Sequence, residues 1–463
     1  VNRIFGQYFS AEMAVLCLIE WALNSVIIYA LLMFAAAPDA PLAHAGAGNL
    51  SVLLALTIGA IAVTIGLYRP EICLARGRLL VNAGVAGVLA FPALLVVSET
   101  LDVALSGGYL LWLAKGLIAW VLCLLFTRWV FSFAMRNRLF MRRVLVLGSG
   151  HEATRIREQI QSHHGSFFEI VNPALPLDAE GTANRGSADW VIGTRKNRIW
   201  GIVVATPEDG AKSGKSECLT APALLDLKLR GVRIFDELSF CEQHLGRINL
   251  DRVDVRWLIF ADGFSRTRLG DVLKRLADLV ISMAVLCLTL PLMLVTALLI
   301  KLDSPGPIFY RQERVGLHGR TFTLFKFRSM ALDAEAGGRP RWASQKDSRI
   351  TRVGAFIRST RIDELPQLLN VLGGEMSFVG PRPERPHFVE QLAQVIPFYR
   401  ERSYVKPGIT GWAQVNFPYG ASVEDARQKL SYDLYYVKNR SLLLDIIILF
   451  STIRVILFRE GAR

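Results

Sequence analysis

The chain has 463 residues, 52% of them hydrophobic, and a formal net charge of +13. That is too long for one compact core and too apolar for an ordinary soluble enzyme, so several domains and contact with a membrane are expected. The six cysteines are scattered without a Cys-x-x-Cys pair, which points away from a disulfide framework or a zinc site, and the basic residues lie beside apolar segments, which favours a membrane over nucleic acid.

Four apolar stretches, near residues 12–36, 50–68, 79–98 and 109–131, each have the roughly 20 residues that a helix needs to cross the hydrocarbon core. The first is not a cleavable signal, because three more spans follow it. It carries Glu20, a costly carboxylate in lipid, which is expected to face the helix bundle and make an interhelical hydrogen bond. Residues 37–49 and 99–108 hold no Lys or Arg, whereas 69–78 holds Arg69, Arg76 and Arg78, and Arg128, Arg136, Arg138, Arg142 and Arg143 follow the fourth span. The positive-inside rule then puts both ends of the bundle, and everything beyond residue 131, in the cytoplasm.

From Arg143 the pattern changes to a strand, Val144 to Leu147, a Gly148-Ser149-Gly150 turn and a polar helix from Ala153 to about Ser162. Residues 202–205 and 232–235 read as further strands of a small parallel sheet. Gly148-x-Gly150-x-x-Ala153 has the dinucleotide spacing, but no acidic residue clearly ends a second strand; Glu169 is near the right distance but reads as beginning one. A bound nucleotide and a scaffold without one are both open readings.

Leu276 to Leu302 is long enough to span, yet Pro291 interrupts it and Asp278 lies in its first turn. A straight crossing would export residues 303–463 with their basic motifs. The expectation is a re-entrant hairpin, about 274–302, that turns near Pro291 and returns to the cytoplasmic side. Leu442 to Phe458 is apolar but carries Asp445 and Arg454, which suits a helix in the membrane interface.

Asp363 and Glu364 precede Leu365, Leu368, Leu369 and Leu372, which recur at helical spacing, and Pro366 fits only a first turn. The acids therefore belong near a helix N-terminus, where the dipole favours anions. One can attack phosphorus while the other holds magnesium; the plain alternative is a helix cap beside a solvated acid. Lys326, Arg328, Arg358 and Arg382 stand in Gly- and Pro-rich segments and suit phosphate oxygens. Trp412 and Tyr419 suit packing or the membrane interface more than base stacking.

Lys326-Phe327-Arg328-Ser329-Met330, Arg358 to Gln367, Phe378-Val379-Gly380-Pro381-Arg382-Pro383 and Lys406 to Trp412 together resemble the bacterial sugar transferase family of monotopic polyprenyl-phosphate hexose-1-phosphate transferases, from about residue 268 onward. The four spans and Rossmann-like part ahead of it resemble its large members. The resemblance implies transfer of a sugar 1-phosphate from a UDP-sugar to undecaprenyl phosphate, with release of UMP and with Mg²⁺, as a first step of exopolysaccharide or O-antigen synthesis. It assigns the covalent nucleophile to Asp363, metal binding to Glu364, phosphate binding to Arg358 and Arg382, and the hairpin proline to Pro291. Leu290 stands where some smaller members have Ser before that proline. A homodimer is implied by the resemblance alone. The expected architecture is a membrane protein of α plus α/β class: a four-helix bundle (1–135), a Rossmann-like cytoplasmic domain (140–265) and a mainly helical catalytic domain (268–463) at the inner membrane's cytoplasmic face. A membrane-bound nucleotide-sugar dehydratase or epimerase is the enzyme alternative, but no Tyr has Lys four residues later; a non-catalytic assembly scaffold is the other.

Overall fold

The computed structural model describes residues 2–4, 7–9, 11–35, 41–68, 76–100, 109–136, 141–148, 151–162, 168–171, 199–205, 221–261, 263–264, 267–331, 349–417, 420 and 422–457. Arg69, Arg138, Gly150 and Tyr419 lie outside the described residues. The fold divides into two units, residues 8–245 and 246–463, with 1–2 grouped with the first and 3–7 with the second.

After short strands β1 (Asn2–Ile4) and β2 (Gln7–Phe9) come four helices: α1 (Ala11–Ala35), α2 (Pro41–Thr64), α3 (Arg76–Thr100) and α4 (Tyr109–Arg136). Their packed positions hold small residues, Ala55, Ala62, Ala83, Ala86 and Ala90, while Val26, Val88, Leu122 and Phe126 face outward. A helix apolar on its outer face as well as its packed face is solvated by lipid, and small residues let such helices approach closely. Stretches of α1 and α4 are long and apolar enough to cross a membrane, as is a later helix over 268–303; the described apolar parts of α2 and α3 are shorter, Gly48–Thr64 and Leu79–Leu94. Glu20 is buried as expected and accepts hydrogen bonds from Thr127 (2.5 Å), Tyr68 (2.8 Å) and Arg128 (3.3 Å). Arg128, read from the sequence as flanking the fourth span, is instead buried within α4 as the partner of that acid.

The same unit contains a four-stranded parallel sheet, β3 (Arg142–Leu147), β4 (Phe168–Val171), β5 (Ile199–Val204) and β6 (Arg233–Asp236), in the order β4-β3-β5-β6. Both faces are covered, as a parallel sheet requires. Helix α5 (His151–Ser162) lays Ile156 and Ile160 on Val144 and Val146, and α6 (Ala221–Leu229) lays Ala223 and Leu227 on Leu145 and Leu147. Gly148 has φ +144°, and a Cβ there would overlap Ala205, so only glycine fits this position. Glu169 lies near the start of β4 and pairs with Arg143 at 3.1 Å, which leaves it no position at a strand's C-terminal end for a ribose.

In the second unit, helix α7 (Arg268–Asp303) begins at a Thr267 cap and runs unbroken past Pro291. The sequence led us to expect two helices joined by a turn at Pro291; the structure has one helix with the proline inside it. A proline removes one backbone donor, which a helix survives with one unpaired carbonyl. Both ends of α7 bond to this unit. At the first, Lys274 donates to the Val379 carbonyl, and Asp278 accepts from Ser377 Oγ and the Phe378 N–H. At the other, Asp303 accepts from the Val353 N–H.

The hairpin of β7 (Phe309–Val315) and β8 (Thr321–Phe327) follows, then α8 (Arg352–Ser359), a 3₁₀ turn over Ile362–Glu364, and α9 (Gln367–Gly373). Met293, Ile300, Phe327 and Ile357 make the core between α7, β8 and α8. Strands β9 (Ser377–Val379) and β10 (Gly408–Thr410) pair in parallel. Helices α10 (Val423–Asn439) and α11 (Leu442–Leu457) complete the unit. Helix α11 turns Asp445 inward to Lys274 (2.7 Å) and Tyr436 (2.8 Å), and leaves Ile446, Ile453 and Ile456 outside.

Candidate active site

The acids sit one turn ahead of α9, in the 3₁₀ turn, with Pro366 at the N-cap position of the helix. Two features hold that turn. Arg361, immediately before it, adopts φ +59°, which reverses the chain out of α8. Asn370 of α9, almost fully buried, accepts from the Phe325 N–H and donates to the Thr323 carbonyl (2.7 Å), locking the helix onto β8. Lys326 on β8 is thereby fixed opposite the acids. At the end of that strand, a Cβ on Gly354 would overlap the Ser329 carbonyl, so glycine lets α8 pack against it.

Glu364 is the hub of charge. Its Oε1 accepts from Lys326 Nζ at 2.9 Å and from Arg382 at 2.7 Å, and its Oε2 faces Arg361 at 3.6 Å. Burial opposes its charge, but Arg382, Lys326 and Arg361 outweigh burial and hold the carboxylate well below its ordinary range. Asp363 is as buried, yet its carboxylate makes no hydrogen bond among the described residues. Burial pushes it up to about 6, with Glu364 adding to the rise, against Lys326, Arg382 and Arg358. Adjacent acids thus differ in kind: one is a fixed anion, the other an unbonded carboxylate that ionises near neutrality.

Of the cations expected from sequence, the structure brings Lys326 and Arg382 to Glu364 and places Arg358, in the last turn of α8, close enough to act on Asp363 electrostatically. Arg328 is elsewhere. It is buried and donates to the Ser304 and Pro305 carbonyls at 2.8 and 2.9 Å, closing the C-terminal end of α7. Trp412 packs rather than stacking on a ligand, donating to the Gly246 carbonyl at 2.7 Å and lying on Tyr435.

The loop that carries Arg382 is held through its carbonyls, an arrangement single motifs do not encode. Val379 accepts from Lys274 and Tyr436, Arg382 from Arg402 (3.0 Å), and Pro383 from Arg314 (3.0 Å). Arg402 is itself buried against Asp433 (2.8 Å) and Tyr399 (3.0 Å). A Cβ on Gly408 would overlap the backbone of Gly380, so this glycine lets the Lys406-Pro407-Gly408 segment pair directly with the Arg382 loop.

The sequence profile described as Bacterial sugar transferase matches residues 269–459. A UDP-glucose:undecaprenyl-phosphate glucose-1-phosphate transferase of Xanthomonas campestris pv. campestris is 33% identical over 388 residues, covering 81% of this chain and 78% of that protein. The chain belongs to the bacterial sugar transferase family. An Escherichia coli (strain K12) protein of the same description is 33% identical over 386 residues, 78% of this chain and 80% of its own length. A UDP-N-acetylgalactosamine-undecaprenyl-phosphate N-acetylgalactosaminephosphotransferase of Aeromonas hydrophila is 52% identical over 261 residues; the match spans 56% of this chain and 60% of that relative.

Proposed function

We propose that this chain transfers a sugar 1-phosphate from a UDP-sugar to undecaprenyl phosphate with release of UMP, the first membrane step of exopolysaccharide or O-antigen synthesis. The observation that carries the proposal is the unbonded Asp363 beside a Glu364 gripped by Lys326, Arg382 and Arg361. That is a nucleophile next to a frame built for phosphate charge, and the names of the relatives agree with it.

In the proposed first half-reaction an Asp363 oxygen attacks the β-phosphorus, the bond to the bridging oxygen breaks, and UMP leaves with that oxygen and its electron pair. In the second, an oxygen of the lipid phosphate attacks the same phosphorus and Asp363 leaves as a carboxylate. Lys326, Arg358 and Arg382 orient the phosphates and offset their charge. Among the described residues no cluster of three or more His, Cys, Asp or Glu exists, and the carboxylates those residues bring to the site are the adjacent pair Asp363 and Glu364. This donor set fits magnesium, which is held by one or two carboxylates with phosphate oxygens completing its shell. Glu364, as the fixed anion, would hold it, and when bound the ion would neutralise charge on the transferring phosphoryl group. Incubation of the purified chain with undecaprenyl phosphate and a panel of UDP-sugars should release UMP from at least one; no UMP from any of them would overturn the reading.

We also propose that α1 to α4 cross the inner membrane, that α7 is re-entrant as one helix bent at Pro291 and not as two helices joined by a turn, and that α11 lies in the interface, with the three-part division 1–135, 140–265 and 268–463 and the site on the cytoplasmic face. Support comes from the two ends of α7. A straight helix would separate Lys274 from Asp303 by about 44 Å, yet both bond to the one unit that holds the acids. The polar side of α11 is likewise tied to that unit, with its isoleucines outward. In an Arg320→Cys variant, a membrane-impermeant maleimide should label the new thiol in inverted vesicles and not in intact spheroplasts; labelling from outside would refute the re-entrant path.

A further inference from the structure

The transferase reading makes no use of the free edge of the four-stranded sheet. Among the described residues β6 pairs only with β5, and along its other side runs a cleft of about 430 Å³ lined by Lys228, Gly231, Arg233, Phe235, Gln243 and His244. At its base the His244 ring is boxed by Phe168, Trp200, Phe235 and Phe240, with ring centroids 5.0 to 5.3 Å away. Its Nε2 is nevertheless buried without a hydrogen-bond partner. Burial, then Arg142 and Arg233, lower this imidazole to about 3, so it is neutral at physiological pH. At the rim Lys228 and Arg233 are exposed, and neither makes an ion pair among the described residues. Arg233 lies over the Trp200 ring at 5.0 Å, which fixes its stem while leaving guanidinium donors to solvent.

Two cations alone would take any anion. The aromatic wall and the neutral ring nitrogen add something only for a ligand that also presents a flat, hydrogen-bonding ring. We propose that this cleft binds a nucleoside monophosphate, with the phosphate on Lys228 and Arg233 and the base against Phe235, the His244 ring turning so that its buried Nε2 meets the base. The cleft is distinct from the Gly148 turn, which does not line it.

The test is calorimetric titration of the full chain in detergent micelles with AMP, UMP and inorganic phosphate. AMP is the reporting probe, because it is not a product of the proposed transfer and its binding stands or falls independently of that reading. AMP should bind the wild type at one site per chain and at least tenfold more tightly than inorganic phosphate. Lys228→Glu/Arg233→Glu should weaken AMP at least tenfold while leaving UMP release from the UDP-sugar unchanged. His244→Phe, which keeps the aromatic box and removes the ring nitrogen, should weaken AMP with an unchanged melting temperature. Equal AMP affinity in the wild type and the charge-reversed chain, or inorganic phosphate binding as tightly as AMP, would overturn the proposal.

Discussion

Replacing Asp363 with Asn is expected to abolish transfer and, at neutral pH, to make the protein more resistant to heat. The first effect follows from chemistry: an amide is no nucleophile toward phosphorus, so UMP release should fall by at least about 10³-fold and no phosphosugar should be trapped on the chain. The second follows from burial. Asp363 ionises at about 6 in the folded state, above the ordinary value of 3.8, so folding favours its protonated form. That contribution is fully present below the unfolded value and is lost as pH rises through about 6, leaving an ionised Asp363 as a burden at pH 7.5. A neutral isostere removes roughly 2–3 kcal/mol of that burden. The gain in melting temperature should therefore be present at pH 7.5 and absent at pH 4, and wild-type UMP release should fall as pH drops through about 6. Glu364→Gln is the sign-reversed control. Its carboxylate is held low by Arg382, Lys326 and Arg361 against burial, so its contribution is present above the ordinary carboxylate range and lost in acid. Removing that charge leaves three cations facing one another and should cost about 2–4 kcal/mol at pH 7.5. If both amide variants shift stability in the same direction at pH 7.5, the division of roles between the two acids is wrong.

The residues of this site were legible in proportion to how local their signals are. Asp363, Glu364 and Arg382 lie in short motifs whose Gly and Pro residues announce tight turns, Lys326 lies at the end of a strand run, and the structure gathers Lys326 and Arg382 around the Glu364 carboxylate. Arg361 stood in the same motif but was not singled out, because its place depends on a left-handed backbone that no residue type there announces. Arg328 was misread because a guanidinium suits peptide carbonyls as well as phosphates. Alternation along β8 would put it on the face of Lys326, but the strand ends at Phe327, and the side chain turns to the end of α7. Apolar length and period revealed the helices and the parallel sheet, since those are composition written along the chain. Pro291 misled in detail: a missing donor reads as a stop, whereas a helix of this length carries on through one lost hydrogen bond.

Arg402 and Asp433 were invisible for a different reason, being 31 residues apart and joined only by the fold. Their loss should still be among the largest effects in the chain. Removing Asp433 as alanine strands a buried guanidinium, a change that typically costs about 3–5 kcal/mol. The same guanidinium fixes the Arg382 carbonyl, so the damage should reach the site through position and not through direct contact with substrate. Asp433→Asn keeps the shape and one acceptor oxygen while removing the charge, and should fold well enough to assay. In it the KM for the UDP-sugar should rise about tenfold, because Arg382 is less firmly held, with a smaller change in kcat. Arg402→Lys should raise the KM as well, although it keeps the positive charge. The guanidinium serves Tyr399 through one terminal nitrogen and both Asp433 and the Arg382 carbonyl through the other, and a single ammonium does not reproduce that fork. A wild-type KM in Asp433→Asn together with a lowered melting temperature would leave the pair as a brace for the core alone. The carbonyl clamp on the Arg382 loop would then have to rest on Arg314, Lys274 and Tyr436.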